Sequence, residues 1–324
     1  MRSVAEYQEI LNNFLADIKI PTEPKNLYEP ISYILSIGGK RMRPILTLMG
    51  AEIFDCDYKK AFHAATAVEL FHNFSLIHDD IMDDAPLRRG HQTVHEKWNT
   101  NTGILSGDAL LILAYQYFEN YEPHIFRALA KIFSKTALEV CEGQQLDIDF
   151  EQRNDVAIDD YILMIKYKTA VLVAAALKMG AVVAETSDKN ADLIYDFGLN
   201  LGIAFQLQDD YLDAFGDPLT FGKQVGGDII ENKKTFLYLK ALELSDAETK
   251  KQLIALFNSN PENVTEKIET VKQHFTATKA VLHTQELIET YTLKAFKTLE
   301  DLDVPASKKQ GLIDFGNMLM KRNV

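Results

Sequence analysis

Two stretches of this chain place aspartates where they can act together. Asp79, Asp80 and Asp83 lie in LIHDDIMDDAPLRRG (Leu76–Gly90), and Asp209, Asp210 and Asp213 lie in FQLQDDYLDAFGD (Phe205–Asp217). On a helix, residues four apart are separated by ~40° of rotation and ~6 Å of rise, so the first and last acid of each triplet share a face. Like charges at that spacing destabilise a helix, and near its C-terminal end the dipole adds to the penalty. A divalent cation relieves both. Carboxylates without His or Cys suit Mg²⁺, which takes one or two of them and fills its shell with water and substrate phosphate. One such cluster reads equally well as a solvated acidic helix end. Two, each following an apolar run and each near a basic loop, read as paired metal sites.

The cations nearby fit the same chemistry. GGKRMRP carries Lys40, Arg41 and Arg43 on a glycine-hinged turn, and Arg88 and Arg89 follow the first acid cluster. YKTA presents Lys168 and Thr169 within an apolar stretch, and GKQVGGDIIENKKT offers Lys223, Lys233 and Lys234. Singly, each reads as a solvated side chain. Together they suit a site that holds two polyanions, one through Mg²⁺ and one through Lys and Arg alone.

Helices must position these groups. Apolar residues recur at helical spacing through Lys60–Asp84, Ile104–Tyr121, Ile125–Val140, Asp160–Lys178 and Asn190–Phe215. Shorter helical patterns cover Lys234–Glu243, Glu262–Phe275, Thr278–Glu300 and Ser307–Arg322. Gly and Pro fall between the segments, and no alternating run of strand quality exceeds a few residues. Val171–Val183 is apolar nearly all round, which predicts a helix inside a multilayer bundle. The expectation is an all-α chain forming one domain over residues 1–324.

Composition narrows the partners. A net charge of −13 argues against nucleic acid, whereas small phosphorylated ligands need only local cations. Cys56 and Cys141 match neither a disulfide framework nor a zinc motif. No signal-peptide core is read at the N-terminus, and the most apolar stretch, interrupted by Lys178, is short of a membrane span. A soluble, cytoplasmic protein is expected.

Taken in order, GGKRMRP, HDDIMDDAPLRRG, GQQLD, YKTA, FQLQDDYLD and GKQVGGDIIENKKT resemble the motifs of the trans-isoprenyl diphosphate synthases (polyprenyl synthetases), from about Gly38 to Thr235. The resemblance implies the isoprenoid synthase fold, a multi-helix bundle around a central cavity, and a homodimer. It implies three Mg²⁺ held by Asp79, Asp80, Asp83, Asp209, Asp210 and Asp213 around an allylic diphosphate. Arg88, Lys168, Lys223 and Lys233 match residues that grip that diphosphate, while Lys40, Arg43, His72 and Arg89 match the isopentenyl diphosphate site. Gln144, Asp147, Thr169 and Gln206 match polar residues lining the reaction centre. The implied reaction is ionisation of the allylic C–O bond and attack by the isopentenyl double bond, with Thr169 and Gln206 placed to stabilise the cation.

The helix bearing Asp79 should also wall the tail pocket. Ser75 lies one turn below Asp79, Phe74 ~7.5 Å below it and Phe71 ~12 Å below it. An extended C5 unit is roughly 4–5 Å long. Ser75 leaves the first turn open, and Phe74 and Phe71 can form a floor, although both also read as core residues. An aromatic five before the motif with a small residue four before resembles the geranylgeranyl (C20) type. A farnesyl (C15) synthase and a non-catalytic partner subunit are the alternatives. A terpene cyclase would have little use for a second DDxxD or for Lys40 and Arg43.

Overall fold

The computed structural model describes residues 1–217, 225–259, 261 and 263–321. Its helices are α1 (Val4–Ala16), α2 (Lys25–Ser36), α3 (Met42–Glu52), α4 (Phe62–Met82), α5 (Val94–Lys97), α6 (Thr100–Phe118), α7 (Pro123–Gln152), α8 (Ile158–Ile165), α9 (Val171–Val183) and α10 (Asp188–Phe215). They continue with α11 (Gly227–Ile230), α12 (Phe236–Leu244), α13 (Ala247–Phe257), α14 (Val264–Ala277), α15 (Ala280–Glu300) and α16 (Ala306–Met320). A 3₁₀ turn at Tyr58–Ala61 leads into α4, and a π-helical turn at Lys166–Ala170 joins α8 to α9. Among the described residues the only strands are two residues each, Leu87–Arg88 paired antiparallel with His91–Gln92. The described residues are all-α apart from that hairpin, as the sequence leads one to expect.

Side chains set several starts. Ser3 and Glu6 form a reciprocal capping box on α1, with Glu6 accepting from the Ser3 amide at 2.8 Å. Asn99 accepts from Thr102 N at the start of α6, and Asp246 from Thr249 N at the start of α13. Helix α7 runs twelve residues past the Val140 at which its apolar pattern fades. It continues because Gly143 is used inside it rather than as a stop: a Cβ there would overlap the Lys168 backbone. That extension carries Gln144 and Asp147 on helix rather than loop.

Contacts group the chain into two compact units. One comprises Met1–Ser134, Ala175–Ile194 and Asp303–Gly311; the other comprises Lys135–Ala174, Tyr195–Leu302 and Leu312 onward. The first unit buries most of α3 and α4, including Ile45, Leu48, Val68, Leu70 and Phe71 at 1% exposure or less. The second packs Phe150, Tyr161, Leu207, Phe236, Phe257 and Phe275 into one core. Burial at this scale contributes roughly 1.5–3 kcal/mol per large apolar side chain before conformational entropy is counted. No helix among the described residues is long and apolar enough to cross a membrane.

Candidate active site

In the first unit, α4 delivers the first acid triplet at its C-terminal end. Asp83 is the C-cap, its N–H bonding Asp79 O at 2.9 Å. Asp80, one residue on from Asp79 and so turned ~100° round the helix, is only 1% exposed. Arg88 Nε donates to both of its carboxylate oxygens at 2.8 Å, and Nη2 reaches Oδ1 at 2.6 Å and Asp79 Oδ2 at 3.9 Å. Burial pushes the Asp80 carboxyl up, against the pull of Arg88, while Asp80 holds the Arg88 guanidinium above its ordinary value despite burial. The short hairpin makes this contact possible, since Arg89 (φ 53°) and Gly90 (φ 76°) turn the chain in left-handed conformations.

The cations assigned to isopentenyl diphosphate gather beside it. Arg43, in the first turn of α3, lies 3.1 Å from His72 Nε2 through Nη1. A guanidinium only donates, so His72 accepts there and is neutral. Burial and the guanidiniums of Arg43, Arg89, Arg88 and Arg41 hold His72 well below the usual imidazole value. Burial also brings Arg43 down to about 10. Gly39 (φ 144°) admits Arg89: a Cβ there would lie 2.5 Å from Arg89 Nη1. Lys40 is the exposed next residue of the same turn. Arg41 departs from its neighbours, being buried with Glu69 as its ion-pair partner.

On the same helix, Phe74 packs against His78 (ring centroids 4.7 Å) and against Phe71 (5.5 Å), and Phe71 in turn meets Phe133 at 5.1 Å. Phe71, at 1% exposure, is a core residue behind Phe74. The Ser75 hydroxyl turns back to donate to His72 O at 2.9 Å, leaving its position small.

In the second unit, the end of α7, the π turn, α10 and the Asp228–Thr235 segment line a cavity of about 100 Å³. Lys168 donates to Asp147 Oδ2 at 2.6 Å. Thr169 Oγ1 donates to Gln206 Oε1 at 3.0 Å, and Gln206 Nε2 to Asp210 Oδ1 at 2.7 Å; this chain fixes which way the Gln206 amide faces. Tyr161 OH donates to the other oxygen of Asp210. Burial pushes Asp210 up to about 7, with the Tyr161 and Gln206 hydrogen bonds pulling the other way. Asp213 Oδ2 accepts from Asp228 N at 2.9 Å. Lys233 pairs with Glu231 at 3.0 Å and, with Asp147 and Asp228 near, is held well above its usual value although burial alone would lower it. Lys234 instead closes the end of α7, donating to Phe150 O and Glu151 O at 2.7 and 3.0 Å.

The residues anticipated from the sequence thus form two local sets: Lys40, Arg43, His72, Asp79, Asp80, Asp83, Arg88 and Arg89 in one unit, and Asp147, Lys168, Thr169, Gln206, Asp210 and Lys233 about the cavity of the other. Gln144, Asp209 and Asp213 belong to the second unit as half-buried residues. Lys223 lies outside the described residues. Sequence reasoning missed Glu69, Tyr161 and Asp228. Glu69 did leave a signal, as a lone acid in the otherwise apolar AVELF. Tyr161 left none. Asp84, His95 and Glu96 also bring one donor atom each within 4.8 Å of one another, a grouping formed only by folding.

The donor sets fit Mg²⁺. Each triplet is all-carboxylate, and in each the second acid is buried against protein hydrogen-bond donors, so that the oxygens of the first and third acids define the helix face where a cation would sit.

Comparison with known proteins agrees with this chemistry. A polyprenyl synthetase family profile matches residues 24–274. A geranylgeranyl pyrophosphate synthase of Geoglobus acetivorans is 34% identical over 324 residues, 99% of this chain and 98% of that protein. The crystal structure of a geranylgeranyl pyrophosphate synthase superposes with a TM-score of 0.96 at 52% identity, covering 100% of both chains. A further one, from Corynebacterium glutamicum and complexed with isoprenyl diphosphate and magnesium, gives a TM-score of 0.83 at 27% identity, over 99% of this chain and 96% of that one.

Proposed function

Since the chain belongs to the polyprenyl synthetase family of prenyltransferases, we propose that it condenses isopentenyl diphosphate head-to-tail with allylic diphosphates and releases all-trans geranylgeranyl diphosphate (C20). It acts as a single polyprenyl synthetase domain over residues 1–324. Lys40, Arg43, neutral His72 and Arg89 hold the diphosphate of isopentenyl diphosphate without metal, through charge-assisted hydrogen bonds. Arg88, Lys168, Lys223 and Lys233 hold the allylic diphosphate. Asp79, Asp83, Asp209 and Asp213 would hold Mg²⁺, three ions in all, with Asp80 and Asp210 fixing the triplets through Arg88 and through Tyr161 and Gln206. When bound, Mg²⁺ supplies Lewis-acid neutralisation of the leaving diphosphate.

The chain's own groups account for the rest. As the allylic C–O bond breaks, positive charge develops on carbon. The observation that carries the reading is the Thr169–Gln206–Asp210–Tyr161 chain beside Lys168, a set of fixed dipoles ending on a carboxylate. The π turn at Lys166–Ala170, a local departure of the kind that recurs at functional sites, sets Lys168 and Thr169 on this cavity. The isopentenyl π electrons form the new C–C bond, and the proton lost from the adjacent carbon passes to the departing diphosphate. Gln144, beside Asp147 on α7, lines the same centre.

Product length follows from α4. With Ser75 small and Phe74 braced by His78 and Phe71, the chain stops at Phe74, which favours C20. A homodimer is also proposed, because Ile104, Leu105 and Ile112 on α6 are 41%, 59% and 58% exposed and form with exposed Asp108 a mostly apolar stripe that a second copy would cover.

The test is product analysis. Purified protein with Mg²⁺, isopentenyl diphosphate and each allylic starter should yield one C20 alcohol after dephosphorylation. A C15 alcohol would reassign it as a farnesyl synthase, and no elongation by folded protein would favour a partner subunit.

A further inference from the structure

Glu69 is a carboxylate on the wrong side of the ledger for an anion-binding site. It is 3% exposed, on α4 one turn before His72, and acts on three guanidiniums, those of Arg41, Arg43 and Arg89. Arg41 Nη1 pairs with its Oε1, which also accepts from Asn73 Nδ2 at 2.8 Å. A second Arg41 nitrogen, Nη2, donates to Leu35 O at 2.7 Å, so one side chain ties the end of α2 to the middle of α4. Arg41 itself is the N-cap of α3 in the left-handed conformation (φ 50°), separated only by Lys40 from Gly38 (φ 79°) and Gly39 (φ 144°). Such a turn has wide freedom of its own, and few residues tolerate its geometry. The ion pair is the anchor that selects one conformation of it.

We propose that Glu69 is a positioning residue for the isopentenyl diphosphate site: through Arg41 it fixes the Gly38–Arg43 turn, and by its charge it keeps the neighbouring guanidiniums gathered before the substrate arrives. Three observations support it. Residues 69 and 72 are neighbours on one flank of α4, so the Arg41 anchor and the Arg43–His72 contact are set by the same helix surface. Arg89 packs on Gly39, within the anchored turn. And Glu69 is the opposite charge that acts on both Arg43 and Arg89, whose guanidiniums otherwise repel one another. Being buried, Glu69 does not meet the substrate and is not catalytic. The ligand that replaces its compensating role is a diphosphate, which takes over the exposed cations once bound.

This rests on the assignment of Lys40, Arg43, His72 and Arg89 to isopentenyl diphosphate, so the experiment separates the two. Steady-state kinetics would be measured for Glu69→Gln, for the apolar pair Arg41→Met with Glu69→Leu, and for Arg43→Met. Replacing a buried pair by apolar residues is often neutral for stability, so the double variant keeps the test open if Glu69→Gln folds poorly. Expected for both Glu69 variants is a KM for isopentenyl diphosphate raised about tenfold, with kcat, the allylic KM and the slow hydrolysis of allylic diphosphate alone within about twofold. Glu69→Asp, which keeps the charge, should recover part of the loss. An unchanged isopentenyl KM in the folded double variant, or an equal rise in both KM values, overturns the positioning role. If Arg43→Met leaves the isopentenyl KM unchanged, the assignment of the site itself fails instead.

Discussion

Shortening Phe74 should lengthen the product by one isoprene unit. Phe74 is 9% exposed, held by His78 at 4.7 Å and Phe71 at 5.5 Å, so its ring has no room to swing aside as a tail grows against it. The next aromatic down the same helix is Phe71, three residues and therefore ~4.5 Å further along the axis. That is roughly the 4–5 Å reach of one extended C5 unit. Phe74→Ala should thus move the product from C20 to C25 and no further, because Phe71 is braced by Phe133 at 5.1 Å. The cost in stability has an upper bound of ~3–5 kcal/mol, the usual range for truncating a core phenylalanine. Phe71→Ala alone should give the complementary result, a lower melting temperature with the product still C20. The double variant should go past C25. Chromatography of the dephosphorylated products against chain-length standards reads all three. A Phe74→Ala enzyme that still stops at C20 would refute the reasoning and place the floor elsewhere.

Other outcomes follow from the same geometry. Asp79→Ala and Asp209→Ala should each lower turnover by orders of magnitude with an unchanged far-ultraviolet spectrum; near-normal rates would remove these residues from the proposed Mg²⁺ set. Leu105→Glu with Ile112→Glu should convert a dimer to a monomer in light scattering, and an unaltered mass would free the α6 stripe from that role. His72 is held below the ~6.5 of an unfolded histidine, so the unfolded chain binds the extra proton as pH falls through that value. Stability should therefore drop on acidification below about pH 6.5 and level off above it, and His72→Gln should flatten that slope in melting curves taken from pH 5 to 8. An identical slope in the variant would mean the imidazole is not held neutral.

The helices were legible because their apolar faces repeat over many residues, and the acid and base motifs because their spacing has a mechanical meaning on a helix. What escaped was set by folding. The extension of α7 to Gln152 depends on Gly143 meeting Lys168, a contact between residues far apart in the chain. The π turn at Lys166–Ala170 occurs within a pattern that reads as continuous helix from Asp160 to Lys178. Arg41 looked like one more cation of GGKRMRP, yet a left-handed backbone buries it against Glu69 and separates its role from those of Lys40 and Arg43. Tyr161 carried no sequence signal because a tyrosine in an apolar helix is ordinarily core, and only the structure shows its hydroxyl on Asp210.

The two triplets also explain why such a motif needs its second acid. On the proposed assignment, the first and third acids, four residues apart and sharing one face, suffice as ligands. The second, ~100° away, points into the protein, where an ionised carboxylate is costly unless donors meet it. Asp80 meets a guanidinium and Asp210 meets a tyrosine hydroxyl and a glutamine amide. These are different solutions with different consequences. The Arg88 fork neutralises Asp80 and itself stays near the substrate diphosphate, so on this reading the first triplet couples metal and anion binding through one side chain. Asp210 is met by neutral donors, with no cation paired to it among the described residues, and on this reading the Gln206–Thr169 dipoles run from it toward the cavity in which the allylic carbon would sit. Asp80→Asn should accordingly weaken allylic diphosphate binding, raising its KM. Asp210→Asn should lower kcat more than it raises any KM. Equal effects of the two substitutions on both parameters would show that the second acids have a single, merely structural role.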